Sequence, residues 1–300
     1  MTISTRKLAS ERSEGPPQAS SAPSGGSAAH AVASVGATAA SAGPPQARPA
    51  PSGGSAAHAV ASVGAYRTRI KICGLTREED VDAAVAAGAD AVGFVMYAPS
   101  PRHVSVDRAA ALAARLPPFV TPVLLFVNAS AAEIRAGYSR IPCALLQFHG
   151  DESPEDCLRT GRPFMRAARI PLDESPEPGG ARFDLLKYVQ DYSAAQAILL
   201  DAHVEGYGGG GKAFNWSLLP PSVNAHLVLS GGLTPANVTD GILQVRPRCK
   251  TLAVDVSSGV EISKGIKSAG KIIQFVAAVR AADEQFENLA GQTRLHERSE

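Results

Sequence analysis

Residues 69–95 read RIKICGLTREEDVDAAVAAGADAVGFV, and this stretch contains one complete strand–helix–strand unit. The run RIKICG (69–74) is short, mostly apolar and ends in glycine, which is typical of a strand buried on both faces of a parallel sheet. The run TREEDVDAAVAAGA (76–89) has acidic residues in its first turn and Gly88 at its end, as expected for a helix. AVGFVMY (91–97) is a second buried strand. A parallel sheet with helical crossovers is therefore predicted.

The same alternation continues to about Ala282. Six further apolar runs follow, each with a helical pattern or a short remnant of one after it: TPVLLFVN (121–128), ALLQFHG (144–150), FMRAARI (164–170), AQAILLDA (195–202), HLVLSGGL (226–233) and TLAVDVSSG (251–259). Eight such units favour an α/β fold with a single closed (β/α)8 TIM barrel over residues 67–283, near the lower limit of roughly 200 residues for that fold. An open doubly wound sheet is the alternative, but GLTREED after the first strand lacks the glycine-rich dinucleotide-binding pattern.

The two ends of the chain differ in composition from the barrel segment. GPPQASSAPSGGSAAHAVASVGA begins at Gly15 and a near copy begins at Gly43, so the first segment holds a tandem repeat. Its Ala, Ser, Gly and Pro residues offer too little apolar surface to offset the entropy cost of ordering them. We predict a disordered low-complexity extension over residues 1–66 and a polar C-terminal tail over residues 284–300.

Composition excludes several classes of function. The chain has 300 residues and a net charge of +1, which provides no basic field for nucleic acid or an anionic membrane. No apolar run approaches the roughly 20 residues of a membrane span. The four cysteines form no CxxC pair and adjoin no His cluster, so no metal site is expected, and scattered thiols indicate a cytoplasmic protein. An organelle transit peptide is disfavoured by Glu11 and Glu14.

The ends of the seventh and eighth strands are rich in glycine. Active sites of TIM barrels lie at the carboxyl ends of the strands, and phosphate groups are often bound by the last two loops. Gly231 and Gly232, together with Ser258 and Gly259, would leave backbone N–H groups free to bind one anion. Either motif alone would indicate an ordinary turn, but the two together predict a phosphate site.

Polar side chains also stand at or near other strand ends. Cys73 ends the first strand, although a lone cysteine is more often a small buried hydrophobe than a reactive group. Asp201 follows an apolar run, where a carboxylate needs a partner or a task. His149 is as compatible with packing as with chemistry. Lys71 is expected to be neutralised inside the barrel by a carboxylate such as Asp255.

These positions carry a resemblance to the phosphoribosylanthranilate isomerase family. The matching strings, in the family's order, are KICGLT (71–76), GFVMYAPSPRHV (93–104), QFHGDE (147–152), LLDA (199–202), YGGGGKAFNW (207–216), SGGLTPANV (230–238) and DVSSGVE (255–261). The resemblance covers Thr68 to Arg280. It implies an aldose–ketose isomerase of tryptophan biosynthesis, which performs the Amadori rearrangement of N-(5-phosphoribosyl)anthranilate to 1-(2-carboxyphenylamino)-1-deoxyribulose 5-phosphate.

The resemblance also implies roles for individual residues. Cys73 matches the family's base, Asp201 its acid, and Arg102 its contact to the anthranilate carboxylate, for which a surface salt bridge is the alternative. Asp255 and the four phosphate-loop residues complete the expected substrate-binding set. A thiol with an ordinary pKa of about 8.5 needs a modest decrease to act as a base near neutral pH. We expect a monomer that binds a phosphorylated small molecule and uses no metal or cofactor.

Departures from the family pattern and competing functions remain to be weighed. Gly210 stands in place of a Thr and Asn215 in place of an Asp, both in the loop over the substrate. A related imidazole-ribotide isomerase would use paired aspartates and no cysteine. A phosphosugar epimerase would need metal ligands at the strand ends. A non-catalytic phosphate-binding scaffold would have no need of both Cys73 and Asp201.

Overall fold

The computed structural model describes residues 67–172, 183–202 and 213–297, with side chains as far as residue 288. The predicted disordered extension over residues 1–66 and the departure at Gly210 lie outside the described residues. No helix in the described part of the chain is both long and apolar enough to cross a lipid bilayer.

Eight parallel strands in sequence order form a closed barrel. They are β1 (Arg69–Cys73), β2 (Ala91–Val95), β3 (Thr121–Phe126), β4 (Leu145–Phe148), β5 (Phe164–Ile170), β6 (Ala197–Ala202), β7 (Val223–Leu229) and β8 (Cys249–Val256). β8 pairs with β1 and so closes the ring, with Ile70 beside Val254 and Lys71 beside Asp255. The predicted TIM barrel is confirmed, and the open sheet is excluded.

Seven helices accompany the strands in the described residues. They are α1 (Glu78–Ala87), α2 (Val106–Ala113), α3 (Ala131–Arg140), α4 (Pro154–Leu158), α5 (Leu185–Asp191), α6 (Val238–Val245) and α7 (Ala269–Glu297). The starts of α3 and α4 are explained by capping boxes, in which Ser130 pairs with Glu133 and Ser153 with Asp156. Between β6 and β7 the described residues contain only a 3₁₀ turn, Trp216–Leu218, as predicted.

The barrel interior is apolar on one side and polar on the other. Side chains alternate along each strand, and the inward set includes Val123, Met165 and Leu199, which pack against one another. On β1 and β8 the inward positions near the carboxyl ends are instead Lys71 and Asp255. Buried charges of this kind require partners, so Lys71 and Asp255 on β1 and β8 are candidates for a functional site.

A buried ion-pair network ties the last helix to the start of the first strand. Asp283 of α7 accepts hydrogen bonds from the backbone N–H of Thr68 at 3.1 Å and from its hydroxyl at 2.6 Å. Arg246 and Arg280 pair with the same carboxylate. Arg280 also donates to the Thr68 carbonyl at 2.8 Å. The network fixes where β1 enters the barrel.

Two features differ from the sequence-based expectation. The polar tail predicted from residue 284 is helical as far as Glu297, because the segment contains no proline and is rich in good helix formers. Arg246 stacks 5.0 Å from the ring centre of Phe286, which anchors the extension. A short hairpin of β9 (Glu261–Ser263) and β10 (Ile266–Lys267), which the sequence analysis does not predict, follows β8.

We predict that Asp283→Asn lowers the free energy of unfolding by about 3 kcal/mol near neutral pH, because it leaves buried guanidinium charge without its partner. Burial raises the pKa of Asp283, but the hydrogen bonds from Thr68 and Arg246 lower it by more, so the net pKa lies below its usual value. The stabilisation is therefore present above the unfolded pKa of about 4 and is lost as pH falls through the folded pKa.

Urea denaturation at about pH 7 and about pH 3 checks this expectation, since the difference between wild type and variant should shrink at the lower pH. Asp82→Asn is the matched control, because Asp82 forms an exposed pair with Arg115 and its loss should change stability little. A difference that stays constant with pH would contradict the assignment.

Candidate active site

Three of the polar residues singled out from the sequence lie at one rim of the barrel. All eight strands are parallel, so their carboxyl ends meet at the same rim. Cys73 is the last residue of β1, Asp201 lies one residue before the end of β6, and His149 directly follows β4. All three side chains are buried. The fold thus brings a thiol, a carboxyl group and an imidazole to one mouth.

A lysine and an aspartate form an ion pair next to Cys73. Lys71 Nζ donates to Asp255 Oδ1 at 2.8 Å, which confirms the predicted neutralisation of Lys71. Ser230 Oγ donates to Asp255 Oδ2 at 3.3 Å. Both oxygens of Asp255 therefore have protein donors. The expected contact of Asp255 with a substrate stays a prediction.

The surroundings of Cys73 shift the pKa of its thiol in opposite directions. Burial raises the pKa of the thiol, and Lys71 and Lys267 lower it without cancelling the effect of burial. The pKa of the thiol is therefore raised overall, whereas a base that works near neutral pH needs a modest decrease. The sequence predicts that the strand carrying Cys73 is buried, and the residue is only 4% exposed. The ammonium group of Lys71 is close to the thiol, since both lie about 3 Å from the position that a Cβ on Gly93 would occupy.

Asp201 ends a chain of hydrogen bonds that starts at Gln147. Gln147 Nε2 lies 3.0 Å from His149 Nδ1, and His149 Nε2 lies 2.9 Å from Asp201 Oδ2. An amide nitrogen can only donate, so Nδ1 accepts and Nε2 carries the hydrogen that is donated to Asp201. Asp201 Oδ1 accepts a bond from the backbone N–H of Ala202 at 3.0 Å. Sequence reasoning left His149 undecided and missed Gln147.

Arg102 lies over the end of β1 in a buried ion pair. Its Nε and Nη2 donate to the two oxygens of Glu261 at 2.7 and 2.8 Å. Its stem packs against Gly74, the residue after Cys73. Arg102 is 8% exposed, which excludes a surface salt bridge. Glu261 engages only two of the three guanidinium nitrogens, so Nη1 is not needed for this pair.

Glu261 and Lys267 are polar residues of the mouth that sequence reasoning missed. Lys267 Nζ donates to Glu261 Oε1 at 2.8 Å and to the Ser257 carbonyl at 3.1 Å. Glu261 closes the DVSSGVE string, which was the available signal. Lys267 lies on a two-residue strand with no periodic pattern around it, so only the folded hairpin reveals it.

The loops after β7 and β8 meet at one point of the rim. Gly231 and Gly232 have φ angles of +74° and +64°, which L side chains rarely adopt. Gly259, in the loop after β8, lies so close to the loop after β7 that an added Cβ would overlap the carbonyl oxygen of Leu233. Ser258 and Gly259 begin a 3₁₀ turn, so their N–H groups have no partner within it. The four residues predicted to bind phosphate are thereby brought together.

The site contains no obvious metal centre within the described ranges, where no group of three or more His, Cys, Asp or Glu side chains is arranged to hold an ion. The groups that the described residues do offer are a thiol, a carboxyl group, ammonium groups and backbone N–H donors. This set can move protons and bind anions.

Comparison with known proteins identifies one family. The model of the N-(5'-phosphoribosyl)anthranilate (PRA) isomerase family matches residues 70–278. The isomerase of Methylibium petroleiphilum is 64% identical over 217 residues, which cover 72% of this chain and 96% of that protein. The isomerase of Leptothrix cholodnii is 63% identical, with 72% and 93% covered.

Solved structures of the same family superpose on this chain. The phosphoribosylanthranilate isomerase of Thermotoga maritima has a TM-score of 0.60 at 38% identity and covers 71% of this chain and 99% of its own. A second isomerase structure, in complex with reduced 1-(o-carboxyphenylamino)-1-deoxyribulose 5-phosphate, has a TM-score of 0.58 at 36% identity with the same coverage.

We predict that Lys71→Met raises the pKa of the Cys73 thiol further. The substitution removes an ammonium group that lowers this pKa and leaves Asp255, which raises it, without its partner. The ultraviolet absorbance of the thiolate, titrated with pH, should therefore appear at higher pH than in wild type. The same titration of Cys73→Ser is subtracted to remove the absorbance of the other cysteines. Lys187→Met, at an exposed position on α5, is the control and should leave the titration unchanged, and a thiolate that appears earlier in Lys71→Met would refute the assignment.

Proposed function

The chain belongs to the N-(5′-phosphoribosyl)anthranilate isomerase family, and we propose on that premise that Cys73 and Asp201 are the base and the acid of its reaction. The enzyme performs the Amadori rearrangement of N-(5-phosphoribosyl)anthranilate in tryptophan biosynthesis. One observation carries the assignment of roles. In the barrel order β6–β7–β8–β1, the two glycine-rich loops stand between the strand of Asp201 and the strand of Cys73. A sugar anchored there by its phosphate has the acid on one side and the base on the other.

Asp201 opens the sugar ring. Its carboxyl O–H bond breaks as a new O–H bond forms on the ring oxygen, and the bond between that oxygen and C1 breaks. The lone pair of the anthranilate nitrogen then forms a C=N bond, which gives a protonated Schiff base. The position of the carboxyl group supports this role, since Asp201 lies at the rim next to the loop after β7, where the sugar phosphate is proposed to bind.

Cys73 takes the proton from C2 as its thiolate. The electrons of the C2–H bond form a C1=C2 bond and return the C=N pair to nitrogen, which gives an enolamine. Loss of the proton from the enol oxygen and gain of one at C1 then produce the ketone. Lys71 supports the thiolate, because its ammonium group lowers the pKa that burial raises. Proton transfers alone complete this sequence, so we propose that no metal or cofactor takes part.

The remaining predicted residues hold the substrate. Gly231, Gly232, Ser258 and Gly259 bind the phosphate through their backbone N–H groups. Arg102 binds the anthranilate carboxylate, for which its Nη1 is available while Glu261 orients the guanidinium plane. Asp255 contributes to the substrate site indirectly, because it accepts hydrogen bonds from Lys71 and Ser230 and so holds both side chains in place.

We further propose a monomer that works in the cytoplasm. The four cysteines all lie in the described part of the chain and are free thiols, as in a reducing compartment. Every group in the proposed chemistry comes from one chain. A non-catalytic scaffold is disfavoured by the family membership and by the placement of the acid and the base.

We predict that Cys73→Ser and Asp201→Asn each lower kcat by about 10²- to 10⁴-fold, the usual contribution of a general acid or base. The disappearance of phosphoribosylanthranilate fluorescence, followed with a chelator present, measures turnover. Titration with the reduced product analogue should show affinity within a few-fold of wild type. Cys143→Ser removes an exposed thiol remote from the rim and is the control. Wild-type turnover in either active-site variant would end the assignment of that residue.

Residues 67–283 are proposed as the catalytic domain, with residues 1–66 as a dispensable extension. Deletion of residues 1–66 should leave kcat/KM and the melting temperature nearly unchanged, because all groups of the site lie between Lys71 and Lys267. Light scattering of both proteins should give the mass of one chain. A large loss of activity or stability, or the mass of a dimer, would show that these proposals need revision.

A further inference from the structure

His149 stands between the proposed acid and a buried amide. Its Nε2–H donates to Asp201 Oδ2 at 2.9 Å, and its Nδ1 accepts from Gln147 at 3.0 Å. The two oxygens of Asp201 are therefore not equivalent. Oδ2 accepts the imidazole N–H, whereas Oδ1 accepts the backbone N–H of Ala202 and lies 3.0 Å from the position that a Cβ on Gly231 would occupy, next to the loop after β7.

We propose that His149, held in one tautomer by Gln147, is a positioning residue that directs the acidic proton of Asp201 onto Oδ1. In a neutral carboxyl group the carbonyl oxygen accepts hydrogen bonds better than the hydroxyl oxygen, so the imidazole N–H at 2.9 Å favours the carbonyl form at Oδ2 and the O–H on Oδ1. The O–H bond that breaks during ring opening is then the one on Oδ1, which faces the phosphate loops. Ala202 N–H takes only one lone pair of Oδ1. This inference rests on Asp201 being the acid.

The cost of burying Gln147 supports this role. Gln147 is fully buried, and its register neighbours are the apolar residues Leu125 on β3 and Met165 on β5. Its Oε1 has no hydrogen-bond partner among the described residues. A buried amide oxygen left unpaired costs free energy, and an apolar side chain of the same size would avoid that cost. The hydrogen bond to His149 is the interaction that an apolar residue at this position could not make.

The backbone around His149 is clamped from the outer side of the barrel. Arg166 donates to the carbonyls of Phe148 and Gly150, the two residues that flank His149, at 2.9 Å each. Glu152 pairs with Arg166 at 3.3 Å and accepts the N–H of Gly150 at 2.9 Å. Both peptide units next to the imidazole are thus held. Such support is what a precisely oriented catalytic group requires.

The charged groups that face this chain from other strands already have partners of opposite sign. Arg169 stands beside Asp201 in the β5–β6 register and pairs with Asp151 at 2.5 Å. Lys71 pairs with Asp255 across the β1–β8 seam. The imidazole is therefore the group whose hydrogen-bond polarity sets the position of the Asp201 proton.

Gln147→Glu tests the proposal with a near-isosteric change. The ionised carboxylate cannot donate to Nδ1 but accepts its hydrogen, so His149 either presents a lone pair to Asp201 or becomes an imidazolium that draws its proton away. We expect kcat about 10- to 100-fold below wild type at about pH 8, with KM changed little. As pH falls and the introduced carboxyl group gains its proton, it donates again. The ratio of the variant's kcat to that of wild type should therefore rise toward about pH 5.5.

Gln147→Met is the matched variant without an ionisable group. Its kcat should be lower than that of wild type by a factor that does not change with pH, while its melting temperature is equal or higher. His149→Gln, whose amide can still donate to Oδ2, should retain kcat within about tenfold of wild type, whereas His149→Leu should fall much further. A merely structural role would give lower melting temperatures and no dependence on pH.

The outcomes separate this inference from the assignment on which it rests. Wild-type turnover in Asp201→Asn would overturn the acid itself. An inactive Asp201→Asn together with a pH-independent ratio for Gln147→Glu, or with wild-type kcat in Gln147→Met, would overturn only the positioning role. If Gln147→Glu does not fold, the order of the two His149 variants decides, and equal kcat values for them would refute the proposal.

Discussion

The ion pair between Lys71 and Asp255 is the contact on which both the fold and the chemistry depend. It joins the first strand to the last inside the barrel, at the seam where the sheet closes on itself. Two buried charges are costly to desolvate and are tolerated only when they are paired, so the pair holds the seam in one register. The same ammonium group lies beside Cys73. The pair that closes the barrel therefore also supplies the ammonium group that lowers the pKa of the Cys73 thiol.

The proposed acid and the proposed base are supported by different physical means. Around Cys73 the influences act through space, because burial and the nearby ammonium groups of Lys71 and Lys267 shift the pKa in opposite directions. Around Asp201 the influence is directional, since one oxygen accepts the imidazole N–H of His149 and the other the backbone N–H of Ala202. The loops after β7 and β8 stand between the two environments, and they are the proposed phosphate site. In that proposal, a single phosphate contact fixes the distance of the substrate from both groups.

The sequence predicts the barrel and the rim well, because both follow from local patterns. The bounds of β5 match the predicted run FMRAARI, and parallel strands must bring Cys73 and Asp201 to the same rim. Contacts between distant segments are different. Arg102 and Glu261 are 159 residues apart, and nothing in either string announces the pair. The direction of the Cys73 pKa also depends on how completely neighbouring strands enclose the thiol, which no local pattern encodes.

The contact between Gly259 and the Leu233 carbonyl has a consequence for how such an enzyme can diverge. In one half of the mouth, backbone packs directly against backbone. A side chain added at Gly259 would overlap the Leu233 carbonyl, so a substitution there would force the two loops apart. The half around Arg102 and Glu261 is built from side chains, which single substitutions can exchange. Descendants that accept a different aglycone would therefore inherit the proposed anion site intact and acquire their new selectivity around Arg102 and Glu261.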